Sequence, residues 1–135
     1  MLELACKVDD MTAEAIGFAM ERLFEGGALD VYTMPIGMKK SRPGTMICVL
    51  CAERDRESMV ALMMKHTTTL GVREIAVRRH VLDRKIVEVD TPYGVVRRKE
   101  ASGYGVSRSK YEYEDLARIA KERNLSLAEV LRNIE

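Results

Sequence analysis

Three cations crowd one turn of this chain, in Met34-Pro-Ile-Gly-Met-Lys-Lys-Ser-Arg-Pro-Gly44, where Lys39, Lys40 and Arg42 stand between Gly37 and Gly44. Phosphate oxygens are held by a forked guanidinium, by ammonium groups and by backbone that can approach closely, so these residue types predict an anion cradle. The same residues would equally make a solvated basic hairpin turn. Asp9, Asp10 and Glu14 gather where a first strand passes into a first helix. Their oxygens suit a hard divalent ion such as Mg²⁺ or Mn²⁺, and they also suit plain capping of a helix N-terminus. A third segment, Thr67-Thr-Thr-Leu-Gly-Val-Arg73, offers three hydroxyls, a glycine and an arginine that can donate to phosphate, or a helix end with Gly71 at its C′ position. Near the end of the chain, Lys110-Tyr111 precedes Glu112, Glu114 and Asp115, a cation and an aromatic face beside a helix start.

Neither His66 nor His80 has a histidine, cysteine or carboxylate at metal-ligand spacing, and the serines lack a Gly-x-Ser-x-Gly setting. There is also no Gly-x-x-x-x-Gly-Lys-Ser/Thr loop, so no catalytic nucleophile can be named. Chemistry in this chain would work through positioning, metal and charge.

Two groups of elements must position these residues. Leu2 to Val8 reads as a strand, and Thr12 opens a helix with Ile16, Met20, Leu23 and Phe24 on one face, ended by Gly26-Gly27. Ala28 to Ile36 alternates as a strand, and Thr45 to Cys51 is apolar almost throughout, as a central strand is. Asp55 can cap a second helix bearing Met59, Leu62 and Met63, and Val72 to Val81 returns as a strand. The order β-α-β-β-α-β over residues 1–81 predicts an α+β, ferredoxin-like unit suited to oligomerisation. Residues 82–135 predict a smaller hairpin-plus-two-helix unit, whose Lys110 and Tyr111 could serve a nucleotide base. Ile86 to Val89 and Val95 to Lys99 flank the turn Thr91-Pro-Tyr-Gly94, Ser102 to Lys110 reads as loop, and Ser126-Leu-Ala-Glu129 is a capping box.

Composition narrows the class. With 47% hydrophobic residues and a net charge of +1, the chain can bury a core. The charge is segregated: residues 73–110 hold ten cations against five acids, residues 1–53 five against eight, and residues 111–135 four against six. Such a distribution suits a polyanion held together with a divalent cation. Cys6, Cys48 and Cys51 lie in apolar runs, as reduced thiols in a reducing compartment do, and Cys48-Val-Leu-Cys51 reads as strand because residues three apart face opposite sides. No apolar run approaches the roughly 18 residues of a membrane span, and the start lacks a basic segment followed by an apolar one. A soluble cytoplasmic protein is expected.

Taken in order, Val8-Asp-Asp-Met-Thr-Ala-Glu14, the basic turn, Thr67 to Arg73, Thr91-Pro-Tyr-Gly94 and Tyr111-Glu-Tyr-Glu-Asp115 resemble the C-terminal half of the LarC family. These are nickel insertion proteins that complete the nickel-pincer cofactor of lactate racemase. The resemblance implies a CTP-dependent nickel insertase, a nickel chelatase of the lyase class, acting on pyridinium-3,5-bisthiocarboxylic acid mononucleotide with Mn²⁺ or Mg²⁺. It further implies a homo-oligomer in which Lys39, Lys40, Arg42 and Arg73 take the triphosphate. Lys99, Lys110, Tyr111 and Glu114 would then contact nucleotide or substrate, and Asp9, Asp10 and Glu14 would order the metal. Lys7 departs from the family pattern, which has asparagine before the Asp-Asp-Met motif. The histidine-rich N-terminal half has no counterpart here, so the expectation is a partial machine that does not insert nickel alone and leaves most nickel binding to that half.

Two other readings compete. One is a non-catalytic, oligomeric, ferredoxin-like effector-binding or assembly domain, its exposed faces and nine methionines favouring adaptable contacts. The other is a helix-turn-helix nucleic-acid binder over Leu116 to Leu131. Charge argues against it, because residues 111–135 carry more acids than cations and the last helix offers only Arg132.

Overall fold

A computed structural model describes residues 1–135, which divide into two units, Met1–Arg79 and His80–Glu135. The first has the order β1 (Leu2–Val8), α1 (Ala13–Glu25), β2 (Asp30–Met38), β3 (Arg42–Cys51), α2 (Arg56–His66) and β4 (Arg73–Ala76). Its four strands are antiparallel in the order β2-β3-β1-β4, the ferredoxin-like arrangement. Leu2, Leu4, Cys6 and Val8 pair with Cys51, Val49, Ile47 and Thr45, so one sheet face is a near-continuous apolar surface. Against it pack Leu23 of α1 and Met59 and Met63 of α2, all fully buried. Each such side chain removed from water contributes about 1.5–3 kcal/mol.

Several boundaries differ from the sequence expectation for identifiable reasons. The strands β2 and β3 run through Gly37 and Gly44, which leaves only Lys39–Ser41 as the turn. Lys40 and Ser41 both have positive φ, 62° and 58°, an uncommon backbone for residues with a side chain. Gly44 is a packing glycine: a Cβ there would meet the carbonyl oxygen of Val8 at 2.9 Å as well as the Met38 side chain. Thr12 caps α1 by accepting from the Ala15 N–H at 3.1 Å. Phe24, placed on the apolar stripe by periodicity, is half exposed instead, and Ala19 takes a core position. Asp55 occupies the N-cap of α2, but its side chain makes no capping bond, since a 3₁₀ turn over Glu53–Asp55 already precedes the helix. Strand β4 stops at Ala76 and not Val81. Val77 donates to the Met1 carbonyl, and the Arg78-Arg79-His80 run that follows has no apolar alternation to bury.

The second unit is a three-stranded meander with two helices: β5 (Asp83–Thr91), β6 (Gly94–Gly103), β7 (Val106–Tyr111), α3 (Tyr113–Arg123) and α4 (Leu127–Ile134). The expected hairpin is present at Thr91–Gly94, where the Thr91 hydroxyl accepts from the Tyr93 N–H and donates to the Gly94 carbonyl. The stretch read as loop is a correction, because Ser102 to Lys110 completes β6 and forms β7. Tyr104 and Gly105, both at positive φ, close a two-residue hairpin as type I′ geometry requires. Nothing apolar alternates in Val106-Ser-Arg-Ser-Lys-Tyr111 because this edge strand is exposed along nearly its whole length. Val96, Ile119 and Val130 form a small core, with Tyr93, Tyr111 and Leu116 packed around it. The capping box at α4 is complete in both directions, Ser126 with Glu129.

Candidate functional site

Two segments of the first unit, far apart in sequence, meet at one cleft. The end of β1 runs directly into Asp9 and Asp10, while the segment leaving α2 crosses beside it before entering β4 at Arg73. The cleft has a volume of about 380 Å³ and is lined on one side by Lys7, Asp9 and Asp10 and on the other by Thr68, Thr69, Gly71 and Arg73.

Local hydrogen bonding explains how the Thr67–Gly71 segment is held. The Thr67 hydroxyl donates to the Met63 carbonyl at 2.7 Å and accepts from the Thr69 N–H, closing the end of α2. Thr69 is likewise occupied with its own turn, donating to the Gly71 carbonyl at 2.8 Å. Thr68 alone reaches outward, and its hydroxyl donates to Asp10 Oδ1 across 58 residues of sequence. Leu70 is fully exposed at the tip.

Asp9 faces Arg42, with Nη1 3.7 Å from Oδ2. The structure therefore brings four of the expected residues together around one acidic loop: Asp9, Asp10, Arg42 and Arg73. Arg73 takes part in no ion pair of its own. Lys39 and Lys40 stand exposed on the β2–β3 turn and do not line the cleft. Glu14 is also outside it, exposed in the first turn of α1. Asp9, Asp10 and Glu14 do not form a three-ligand set, and no group of three or more His, Cys, Asp or Glu side chains converges on a metal-sized space. Two adjacent carboxylates nevertheless match the coordination habit of Mg²⁺, which is commonly held by one or two carboxylates together with phosphate oxygens and water.

Cys6 touches the same cleft, but burial pushes its thiol up, outweighing the hydroxyls of Thr67 and Thr69 that pull the other way. Burial thus disfavours the thiolate, the form of cysteine that attacks. On the opposite sheet face Glu3 accepts from the Tyr32 hydroxyl, and that bond holds the phenol well above its ordinary range. His66 packs edge-on against Phe18, and His80 Nδ1 lies 3.1 Å from the Tyr104 hydroxyl.

The remaining expected residues belong to the second unit. Tyr111 packs on the small core with the Arg98 guanidinium over its ring, so this aromatic face is already covered. Lys99 lies 3.5 Å from Glu112, while Lys110 and Glu114 are exposed and take part in no ion pair. Asp115 receives the Arg97 side chain and backbone N–H, and these bonds hold its carboxyl below the usual carboxylate range.

The nickel insertion protein family model matches residues 1–131. The chain belongs to that family. Among its relatives is the pyridinium-3,5-bisthiocarboxylic acid mononucleotide nickel insertion protein of Acetivibrio thermocellus, 41% identical over 94% of this chain and 31% of its own length. A putative nickel insertion protein of Roseiflexus castenholzii is 47% identical over 94% of this chain and 32% of its own. The chain thus spans about a third of the length of the curated relatives it matches. Among solved structures, it resembles the C-terminal domain of a cyclometallase involved in the synthesis of the NPN cofactor of lactate racemase. The TM-score is 0.88 at 35% identity, covering 98% of this chain and 92% of that one. No helix of this family member is long and apolar enough to cross a membrane.

Local patterning could not have found Thr68 as the partner of Asp10. The signal, three consecutive hydroxyls before a glycine, is visible in the sequence, but the contact exists only after β1 and β4 pair.

Proposed function

We propose that this chain is the nucleotide-handling portion of a nickel insertion protein, and that the cleft of the first unit holds the triphosphate of CTP together with Mn²⁺ or Mg²⁺. The observation that supports this most is the meeting of Asp9 and Asp10 with Thr68 and Arg73 in one cleft, from two segments far apart in sequence. Asp9 and Asp10 would offer the metal two carboxylate oxygens, and Arg73 and Lys7 would face the phosphates. The divalent ion supplies charge neutralisation and alignment of the phosphate oxygens. Arg42 holds Asp9 in place, and Lys39 and Lys40 add long-range attraction from the turn.

Nickel is the cargo, and the substrate is the pyridinium bisthiocarboxylate mononucleotide named in relatives. A portion corresponding to the rest of those longer relatives would hold most of the nickel. Self-association of the first unit is part of the same reading. Its uncovered sheet face carries Tyr32, Met34 and Ile75, all exposed, and apolar faces of this kind mark contact surfaces.

Titration calorimetry tests the cleft. With Mn²⁺ present, CTP binds the folded chain, and Arg73→Ala weakens binding by about 1.5–3 kcal/mol, the worth of a charge-assisted contact. Arg42→Ala acts through Asp9 and costs less. Unchanged affinity in folded Arg73→Ala protein would remove the cleft from the proposal.

A further inference from the structure

The meander of the second unit has a face that the proposed triphosphate cleft does not use. Strand register fixes it as two rows: Ile86, Lys99 and Lys110 in one, Arg84, Ala101 and Arg108 in the next, each drawn from β5, β6 and β7. All six line one shallow groove of about 800 Å³. Val96, three strand positions from Lys99, points the other way into the core, so this is the outward face.

Three features distinguish the groove from an ordinary solvated surface. Lys99 and Lys110 stand directly opposite each other, an arrangement that lowers the stability of a sheet. Arg84, Arg108 and Lys110 have no acidic partner, while Lys85, Arg97, Arg98 and Lys99 of the same sheet all do. Finally, the small Ala101 separates Arg84 from Arg108. Strands two apart lie about 10 Å from each other, so the guanidinium groups flank a trough whose floor is Ala101 and the exposed Ile86.

A trough with an apolar floor, a guanidinium on each side and an ammonium beyond suits a flat ring that carries anions at two edges and a further anion on a tail. We infer that this face binds the pyridinium bisthiocarboxylate mononucleotide itself, with its ring over Ala101 and Ile86, its two thiocarboxylates toward Arg84 and Arg108, and its phosphate toward Lys110. This rests on the reading of the chain as part of a nickel insertion protein. It adds that substrate and CTP occupy different surfaces.

The test uses the full chain and, as a probe stable in solution, the dicarboxylate analogue of the substrate with oxygen replacing sulfur. Titration of Arg84→Ala and of Arg108→Ala is expected to weaken analogue binding at least tenfold each, with CTP and Mn²⁺ affinity within twofold of the parent. Arg73→Ala is expected to do the reverse. Removing one carboxylate from the probe should weaken binding to the parent and shrink the effect of one arginine substitution. Unchanged analogue affinity in both variants overturns the inference, and so does loss of CTP binding in them, which would make the face part of the triphosphate site. Stronger, salt-sensitive capture of single-stranded oligonucleotide that displaces the analogue also overturns it. A chain that binds the analogue as described but not CTP upholds the inference and refutes the cleft reading alone.

Discussion

Asp115 accepts from the Arg97 backbone N–H at 2.8 Å and from its guanidinium at 3.1 and 2.9 Å, so a single carboxylate ties α3 to the middle strand of the meander. These bonds depress its pKa, and the sign of the linkage follows. The stabilisation is fully present above the unfolded value near 3.9 and disappears as pH falls through the lower folded value. Asp115→Asn should therefore lower the melting temperature of the second unit by roughly 2–6 °C at pH 7 and flatten its acid dependence below pH 4. An unchanged acid limb, followed by circular dichroism, would show that the bond carries no folding energy. In the first unit, Gly44 packs against the Val8 carbonyl at the end of β1, just before the acidic loop. Gly44→Ala places a methyl group 2.9 Å from the Val8 carbonyl and should cost about 1–3 kcal/mol. Denaturant titration measures this, and chemical shifts of Asp9 and Asp10 should move with it.

At the scale of elements, the two units have unequal cores. The first buries eleven residues in one cluster; the second buries Val96, Ile119 and Val130. Ile119→Ala should cost about 2–5 kcal/mol and open the second unit first, so amides of β6 and α3 would exchange while those of β1 and β3 remain protected. Simultaneous exchange of both units would contradict this. The same contrast explains what could be read from the sequence. The strands β1 and β3, α1 and the α4 capping box were legible because apolar periodicity or cap chemistry specifies each locally. Strand β7 was not, because an exposed edge strand of serines, an arginine and a lysine carries no period-two apolar signal. Of the site, the acids, hydroxyls and Arg73 were visible as residue types in suggestive places. Their meeting is a product of the β1–β4 pairing, and the separation of Glu14, Lys39 and Lys40 from the cleft follows from helix and hairpin geometry that motif order does not encode.

Over the whole molecule, a net charge of +1 conceals a local balance that favours polyanions. The meander from Asp83 to Tyr111 carries seven cations and four acids, whereas residues 112–135 carry four and six. Salt should therefore weaken both proposed interactions. The chain spans about a third of its curated relatives, so it is expected to bind CTP with a divalent cation yet release no nickel-loaded product by itself. Addition of the remaining portion of a relative should restore insertion, read from the absorbance of the nickel product. The most direct measurement is a crystal structure of the chain grown with CTP and Mn²⁺, with the metal located by its anomalous scattering. An anomalous peak is expected against the Asp9 and Asp10 carboxylates, with phosphate oxygens reaching Thr68 and Arg73. Manganese and triphosphate bound elsewhere, with that cleft holding only water, would contradict it.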